Sequence, residues 1–336
     1  MEYTFENLNT SSIILSRELL NQGIKRKTRG FNCIEFPEPV LIKITNPSDR
    51  YINIKLRKNN KYLPFAESLA LAAGVNNMNL YAKYVPSMME YSDDGKYQRA
   101  GYGSRIRSFT GFNGDYKIDD PKFRNVYSGS VTVVDQLKFV IETLKKDINS
   151  RQAIITIADP GKDCFGEDGK LKVTKDMPCS RSIQFMIVDN KLDATLYIRS
   201  NDFIFGYQAV NVFNFTWMQE YVANILEMDI GNYYHFANNF HFYEDKLELV
   251  KAMADLEVSD YESEFGIWQY KSLFRGLEEF DNEINDLFYL EKLLPNEYLG
   301  YTSKFDMFTD WGRALIQFRN KEKQEFINPY LKKLFK

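Results

Sequence analysis

The chain has 336 residues, of which 44% are hydrophobic, and a formal net charge of −3 at pH 7. This length is enough for one large domain or two modest ones with a sizeable buried core. The near-balanced charge gives no reason to expect non-specific binding to nucleic acid or to an anionic membrane surface. No apolar stretch approaches the length of a transmembrane helix, and the amino end lacks the basic start and apolar run of a signal peptide.

The first half of the chain mixes predicted strands, helices and loops. Residues 33–47, "CIEFPEPVLIKITNP", are typical of β structure interrupted by prolines. Residues 64–74 begin with a proline and end with a glycine, which predicts a short helix. Residues 92–121 are rich in Gly, Asp and Tyr and are expected to be mostly loop. An amphipathic helix is predicted at 134–147 and a buried strand at 151–160.

The second half begins with strands and ends with helices. Residues 182–200 predict two strands joined at 189–191, and the long apolar run 209–226 predicts a buried helix. Beyond residue 245 the pattern is helical, with one apolar stripe that comprises Leu273, Leu277, Phe280, Ile284, Leu287 and Phe288. Strands followed by helices, without regular βαβ alternation, favour an α+β fold.

The three cysteines are Cys33, Cys164 and Cys179, and they form neither a CxxC pair nor an even set for disulfides. Free thiols are typical of a reducing compartment, so we expect a cytoplasmic protein, or one in the host cytoplasm if it is phage-encoded. No metal site is expected.

Four segments hold the residues of greatest chemical interest. They are "DINSRQAII" (147–155), "MPCS" (177–180), "LYIRSNDFIFGYQAVN" (196–211) and "YYHFANNFHFY" (233–243). Taken singly, each has an ordinary structural explanation: a buried cysteine, a charge at a strand end, a helix cap or a core histidine. Their order and spacing are what favour a shared site.

In this order the segments resemble the thymidylate synthase family, which includes the phage deoxynucleotide hydroxymethylases. Family members carry a Pro-Cys nucleophile, a strand ending in Arg-Ser-x-Asp, a Gly shortly before an Asn or Asp, and then His-x-Tyr. The likeness runs from about residue 13 to about residue 250. It implies an α+β fold with a mixed β-sheet and packed helices, a catalytic domain over 1–250 and a helical C-terminal extension over 251–336. It also implies a homodimer.

The resemblance implies a one-carbon transfer to carbon 5 of a pyrimidine nucleoside monophosphate. A Cys179 thiolate would add to carbon 6, which makes carbon 5 nucleophilic toward the one-carbon unit of 5,10-methylenetetrahydrofolate. Arg199 and Ser200 would hold the 5′-phosphate, and a neighbouring arginine would favour the thiolate. The second subunit would supply Arg151. The family's next arginine is replaced by Gln152, so phosphate affinity or substrate identity is expected to differ.

Further roles follow from the same resemblance. Glu67 would move protons through water, and the basic loop 25–31 would bring Arg29 to the phosphate, with Arg26 or Lys27 as alternatives. The other implied catalytic residues are Asp202 and Tyr102; the substrate-binding set adds Gln184, Asn211, His241 and Tyr243; and the folate-binding set comprises Met88, Asp202 and Gly206.

The chain departs from the family pattern at four places. Ser180 replaces a histidine that often follows the cysteine, and Met88 replaces a tryptophan over the reactive carbon. Asn211 lies one residue too far from Gly206, so that strict alignment puts Val210 in its place. The fourth departure is the helical region that stands where the family has a short closing tail.

These departures bear on substrate and product. An Asn amide can both donate and accept, which suits uracil, whereas an Asp would suit the amino group of cytosine, so dUMP is favoured. A narrower, flexible Met shields the new one-carbon group from water less well than Trp, which favours a hydroxymethyl product. The alternatives are reductive methylation of dUMP, hydroxymethylation of dCMP or CMP, and a non-catalytic nucleotide- or RNA-binding protein. An accidental resemblance, with Cys179 only a core residue, ranks last.

Overall fold

The computed structural model describes residues 1–28, 30–111, 114–124, 132–295 and 301–336. Over these residues the strands are β1 (Glu2–Phe5), β2 (Ile24–Thr28), β3 (Phe31–Glu35), β4 (Val40–Ile44), β5 (Ile154–Thr156), β6 (Ser180–Val188), β7 (Lys191–Ile198), β8 (Asn201–Asp202), β9 (Asp229–Ala237) and β10 (Phe240–Tyr243).

The helices are α1 (Leu8–Gln22), α2 (Leu63–Ala73), α3 (Met78–Ala82), α4 (Tyr102–Arg107), α5 (Gln136–Lys146), α6 (Pro160–Asp163), α7 (Val212–Ile225), α8 (Leu247–Ala254), α9 (Leu277–Leu293), α10 (Asp306–Asn320) and α11 (Pro329–Leu334). A π-helix over Phe203–Asn211 leads directly into α7.

Within the described part of the chain, two sheets organise the fold. A six-stranded mixed sheet has the order β1-β4-β9-β7-β6-β5, in which β1 runs parallel to β4 and β7 parallel to β9. A four-stranded sheet has the order β2-β3-β10-β8. Helix α7 is buried over its whole length and contacts β7 and β9, so it forms the centre of the core on one face of the larger sheet. Strands and helices are thus combined in an α+β fold, as expected.

Most predicted elements are confirmed. The proline-interrupted segment forms β3 and β4, and the helices expected at 64–74, 134–147 and 209–226 are α2, α5 and α7. The turn between β6 and β7 places Asp189 and Asn190 at φ 50° and 60°, the left-handed pair that matches the twist of a two-residue hairpin. At the end of α2, Gly74 adopts φ 75°, and a Cβ there would lie 2.6 Å from the Arg107 Cβ.

Three expectations need correction. The strand expected at 151–160 is only three residues long, and Ile154 is exposed because its side chain points to the outer face of the sheet, alternating with the buried Ile155. Leu273 lies before α9 and is exposed, so it is outside the apolar stripe. The segment 92–121 is mainly loop but contains α4. Loop composition failed to reveal α4 because its polar side chains are buried by tertiary ion pairs, among them Arg105 with Asp163.

The C-terminal helices pack on the helix that carries Glu67. Helices α9 and α10 contact α2, and the Trp311 indole N–H donates to the Phe65 carbonyl at 2.8 Å. Near the chain end, the Lys61 ammonium donates to the Leu334 carbonyl at 2.9 Å, and Phe335 stacks on Tyr62. These contacts brace the back of α2.

Candidate active site

A cleft of two connected chambers surrounds Cys179. The larger, which we name the polar chamber, has a volume of about 740 Å³, and the smaller, the inner chamber, about 230 Å³. Cys179, Ser200 and Asp202 line both, so the thiol lies at the junction. The polar chamber is also lined by Arg26, Glu35, Lys172, Arg199, Asn239 and His241, and the inner chamber by Glu67, Met88, Tyr102, Gly206, Val210 and Asn211.

Two adjacent strands fix the thiol beside an arginine. Cys179 immediately precedes β6 and Arg199 immediately follows β7, and the Arg199 backbone N–H donates to the Cys179 carbonyl at 2.9 Å. The Arg199 side chain donates to the carbonyls of Pro178 and Met177 at 2.9 and 3.0 Å. Its Nη2 lies 3.7 Å from the Cys179 Sγ. A guanidinium at this distance stabilises a thiolate by charge.

Tyr102 supports the start of β6 from the side of the inner chamber. The backbone N–H of Ser180 donates to the Tyr102 hydroxyl oxygen at 3.1 Å. Burial raises the pKa of Tyr102 well above its usual value, so the phenol stays neutral and keeps its proton for a further hydrogen bond. The Ser180 side chain itself is fully buried.

Glu67 lines the inner chamber, and the pKa of its carboxyl group is raised. It lies on α2, is almost fully buried, and accepts a hydrogen bond of 2.9 Å from the Asn214 amide on α7. Burial raises the pKa of Glu67 to about 7, while the Asn214 hydrogen bond acts in the opposite direction. A carboxyl group that titrates near neutral pH can both give and take a proton under ordinary conditions.

Asp202 lies on the wall between the chambers. It follows Asn201 in β8, which pairs with β10 so that Asp202 is opposite His241. Its carboxylate accepts from the Ile204 backbone N–H at 2.8 Å and caps the π-helix. Burial raises the pKa of Asp202 above its usual value.

The π-helix resolves the unusual spacing between Gly206 and Asn211. Its wider turns accommodate an additional residue, a device often found at functional sites. Val210 and Asn211 both line the inner chamber as a result. Gly206 is needed for this packing, because a Cβ there would lie 2.4 Å from the Asn201 Nδ2 and 3.2 Å from the Asn211 Nδ2.

Residues 25–28 of the expected basic loop instead belong to strand β2, which pairs with β3. They contribute Arg26 to the polar chamber, while Lys27 is not among the described lining residues. Arg29, the first choice from the sequence, lies outside the described residues. Tyr243 also lines the polar chamber, beside His241, with the two rings 5.2 Å apart edge to face.

Two candidate residues lie away from the cleft. The Gln184 amide donates to the Arg151 carbonyl at 3.0 Å, on the outer face of the six-stranded sheet. Neither side chain lines either chamber in the described part of the chain. Gln184 alternates with the buried Ile183 and Phe185 along β6, which explains its outward direction.

Several residues of the cleft had not been singled out from the sequence. Glu35, Asn239 and Lys172 line the polar chamber, and Asn214 lines the inner chamber. Asn239 stands two residues before His241, so proximity to that motif was a usable signal. Glu35, Lys172 and Asn214 are distant from the motifs in the chain, and only the tertiary fold brings them in.

Cys33 also lines the polar chamber but differs from Cys179. Its Sγ donates to the Arg26 carbonyl at 3.4 Å, and burial raises the pKa of the Cys33 thiol. Cys164 is exposed. Cys179 is therefore the thiol best placed to react as a nucleophile.

The residues that the structure describes contain no group of three or more His, Cys, Asp or Glu side chains placed to hold a metal ion. Their helices are too short or too polar to cross a bilayer.

Comparison with known proteins agrees with this geometry. The family model described as thymidylate synthase matches residues 58–275. The chain is 31% identical over 245 residues to a deoxyuridylate hydroxymethyltransferase of Bacillus phage SP01, which covers 72% of this chain and 59% of that protein. It is 31% identical over 240 residues to a protein of the same name from Pseudomonas phage M6. That alignment covers 71% of this chain and 60% of the phage protein.

A putative thymidylate synthase of Methanocaldococcus jannaschii is 30% identical over 117 residues, which are 34% of this chain and 49% of that protein. The chain thus spans about 60% of the length of the two phage relatives. The family match covers more than half of the chain, and it includes the cysteine, arginine and histidine motifs of the cleft. The chain belongs to the thymidylate synthase family.

Proposed function

We propose that this protein transfers a one-carbon unit to carbon 5 of dUMP and releases 5-hydroxymethyl-dUMP. The observation that carries the proposal is the position of Cys179 at the junction of a polar and a more apolar chamber. Arg199 lines the polar chamber next to the thiol, and Glu67 lines the inner chamber. The two phage relatives named deoxyuridylate hydroxymethyltransferase support the same substrate and product.

The polar chamber suits a nucleoside monophosphate. Arg199, Ser200 and Arg26 offer charge and hydrogen bonds for the phosphate, and His241 and Tyr243 offer polar groups for the sugar. The pyrimidine ring would then extend to the thiol. Asn211 supports uracil, because its amide can donate to one ring atom and accept from the next.

The inner chamber suits a folate co-substrate. Leu71, Tyr81, Met88 and Val210 give it apolar walls, and Gly206 leaves room at its edge. Methylenetetrahydrofolate bound there supplies the one-carbon unit at the oxidation level of formaldehyde. Met88, Asp202 and Gly206 are the residues proposed to hold it.

The chain's own groups account for the remaining steps. The Cys179 sulfur adds its electron pair to carbon 6, and the ring electrons move toward oxygen 4, which makes carbon 5 nucleophilic. After carbon 5 has gained the one-carbon unit, its hydrogen leaves as a proton, and the bond between that unit and the folate nitrogen breaks, which releases tetrahydrofolate. Water then adds to the one-carbon group left on carbon 5, and elimination of the Cys179 sulfur restores the ring. Glu67, whose pKa is raised to about 7, relays these protons through water, and Tyr102 lines the same chamber.

The product depends on access of water to the new carbon group. Water adds its oxygen to that carbon and gives a hydroxymethyl group, whereas a hydride would give a methyl group. Met88 contributes a narrow, flexible side chain to the wall of the inner chamber, which Cys179 also lines. The C-terminal helices pack behind α2, and no described residue after Tyr243 lines either chamber. These features support water, and not a hydride, as the nucleophile that adds to the new carbon group.

A homodimer is proposed from the outer face of the larger sheet. Ile154, Met186 and Tyr197 are exposed there, and Tyr197 packs against Phe236. An apolar face on an ordered sheet is a typical interface between two copies. Arg151 lies beside Gln184 on this face, and we propose that it reaches the phosphate site of the partner. The phage origin of the relatives supports the host cytoplasm as the location.

The direct experiment is incubation with methylenetetrahydrofolate and, separately, dUMP, dCMP or CMP. Mass spectrometry identifies the nucleotide product, and near-ultraviolet absorbance reports any dihydrofolate. We expect 5-hydroxymethyl-dUMP without dihydrofolate. Formation of thymidylate in step with dihydrofolate would contradict the hydroxymethyl product, and absence of any product with all three nucleotides would contradict the proposed activity.

A further inference from the structure

Glu35 is a buried carboxylate on the wall of the polar chamber. It is 4% exposed, lies at the end of β3, and is the direct cross-strand partner of His241 on β10. Directly opposed residues of antiparallel strands project to the same face of the sheet. Glu35 and His241 therefore share the face that lines the cleft.

Both oxygens of Glu35 accept hydrogen bonds. Oε1 accepts from the Arg26 Nε, and Oε2 accepts from the Asn239 Nδ2 at 2.7 Å. A carboxylate only accepts, so the Asn239 amide must turn its NH₂ group toward Glu35. This fixes the orientation of the Asn239 side chain, and its carbonyl oxygen faces the other way.

The Asn239 carbonyl oxygen in turn determines which His241 nitrogen carries a proton. Asn239 Oδ1 lies 2.7 Å from the His241 Nδ1 and accepts from the Ser200 hydroxyl at 3.3 Å. Since a carbonyl oxygen also only accepts, Nδ1 must be the protonated nitrogen. In the neutral ring, Nε2 then carries the lone pair and acts as an acceptor.

We propose that Glu35 is a positioning residue that sets the tautomer of His241 through Asn239, so that His241 accepts a hydrogen bond from a sugar hydroxyl of the nucleotide. Among the groups of a nucleoside monophosphate outside the base, only the sugar hydroxyl of the deoxynucleotide donates, because the phosphate oxygens accept. The same carboxylate holds Arg26 toward the chamber. The sugar contact rests on the proposed function, whereas the tautomer does not.

His235 provides an internal reference for the tautomer of His241. His235, the other histidine of the chain, is buried and lies with Nε2 2.6 Å from the Asn201 Oδ1. The Asn201 Nδ2 donates to the Asp202 carbonyl, so its Oδ1 is the acceptor and His235 is protonated at Nε2. The structure thus assigns opposite tautomers to the two histidines.

The experiment measures tautomers by ¹⁵N nuclear magnetic resonance of the histidine rings at mildly alkaline pH, without any ligand. We expect Nδ1–H for His241 and Nε2–H for His235. Glu35→Gln should reduce the Nδ1–H population of His241, because a glutamine has one acceptor where the carboxylate had two, and should leave His235 unchanged as a sign of intact folding. The matched control is Glu244→Gln, since Glu244 also binds a cation and an amide, Lys25 and Asn32, but is exposed.

A binding experiment then tests the consequence for the sugar. Calorimetry compares dUMP with 2′,3′-dideoxyuridine monophosphate, which lacks the sugar hydroxyl. Wild-type protein should prefer dUMP by about tenfold or more, and Glu35→Gln should lose most of that preference, whereas Glu244→Gln should keep it. An Nε2–H tautomer for His241 in the wild-type protein, or an unchanged preference in Glu35→Gln, would overturn the inference. If neither nucleotide binds the wild-type protein, the proposed function is wrong, and the tautomer measurement still decides the role of Glu35.

Discussion

Arg199 places its Nη2 3.7 Å from the Cys179 Sγ while the same guanidinium holds the carbonyls of Met177 and Pro178. One side chain therefore fixes the backbone on which the thiol stands and supplies the positive charge beside it. Strand pairing makes this possible, because β6 and β7 are antiparallel neighbours, so that the start of β6 lies next to the end of β7.

Replacement of the thiol tests the nucleophile. We expect Cys179→Ser to reduce turnover of dUMP by at least about 10³-fold, because a serine hydroxyl is a far weaker nucleophile than a thiolate. Nucleotide affinity, measured by calorimetry, should change little, since Arg199 and Ser200 remain. Cys164→Ser is the control and should keep full activity, because Cys164 is exposed. Cys33→Ser should also stay active, as its hydroxyl can donate to the Arg26 carbonyl. Normal turnover in Cys179→Ser would exclude the mechanism.

Glu67 is expected to lower the free energy of unfolding at alkaline pH, although the reaction needs it. Its pKa rises from 4.5 to about 7 on folding, so the folded protein binds the proton more tightly than the unfolded chain. The associated stability is fully present below pH 4.5 and is lost as the pH rises through 7, which amounts to about 3 kcal/mol at most.

Glu67→Gln should therefore abolish most activity and yet raise the free energy of unfolding at pH 8, with little change at pH 4. Urea titration at both pH values measures the difference. Asn214→Ala offers a second test, because loss of a hydrogen bond to the charged form should raise the pKa of Glu67 and shift the pH–rate profile upward. A variant that gains no stability at high pH would argue against a buried carboxyl group that ionises near neutrality.

The proposed dimer is tested by complementation. Cys179→Ser and Arg151→Ala chains are each expected to be inactive, but mixed dimers would contain one site in which both residues are intact. Mixing should restore up to about a quarter of wild-type activity if the subunits associate at random, as expected for a shared interface. Subunit exchange is verified by native mass spectrometry. Failure to recover activity despite proven exchange would count against the contribution of Arg151 across the interface.

Met88 is proposed to influence the product. Met88→Trp should exclude water from the new carbon group more effectively, so the ratio of hydroxymethyl to methyl product should fall. Met89→Trp is the matched control, because Met89 is the adjacent residue but does not line the inner chamber among the described residues. Chromatography of the nucleotide products gives the ratio. An identical ratio in both variants would show that Met88 does not control access of water.

The local sequence determined much of the fold and of the site. Helix α2 followed from its proline start and glycine end, and the β6–β7 hairpin from a turn at Asp189 and Asn190. These features depend on neighbours in the chain, so they are visible without a structure. The motif around Cys179 likewise pointed to its partners Arg199 and His241, and the cleft contains all three.

Only the tertiary structure decided which distant groups enter the cleft. Glu35 lies 144 positions before Cys179 and becomes its neighbour in the polar chamber because β3 pairs with β10. The pKa of Glu67 depends on burial between α2 and α7, which no local pattern measures. The spacing of Gly206 and Asn211 conflicted with a linear alignment until the π-helix showed where the additional residue is accommodated. Sequence determines what each segment can form, whereas the dielectric environment and the hydrogen-bond partners of a side chain arise only when distant segments pack together.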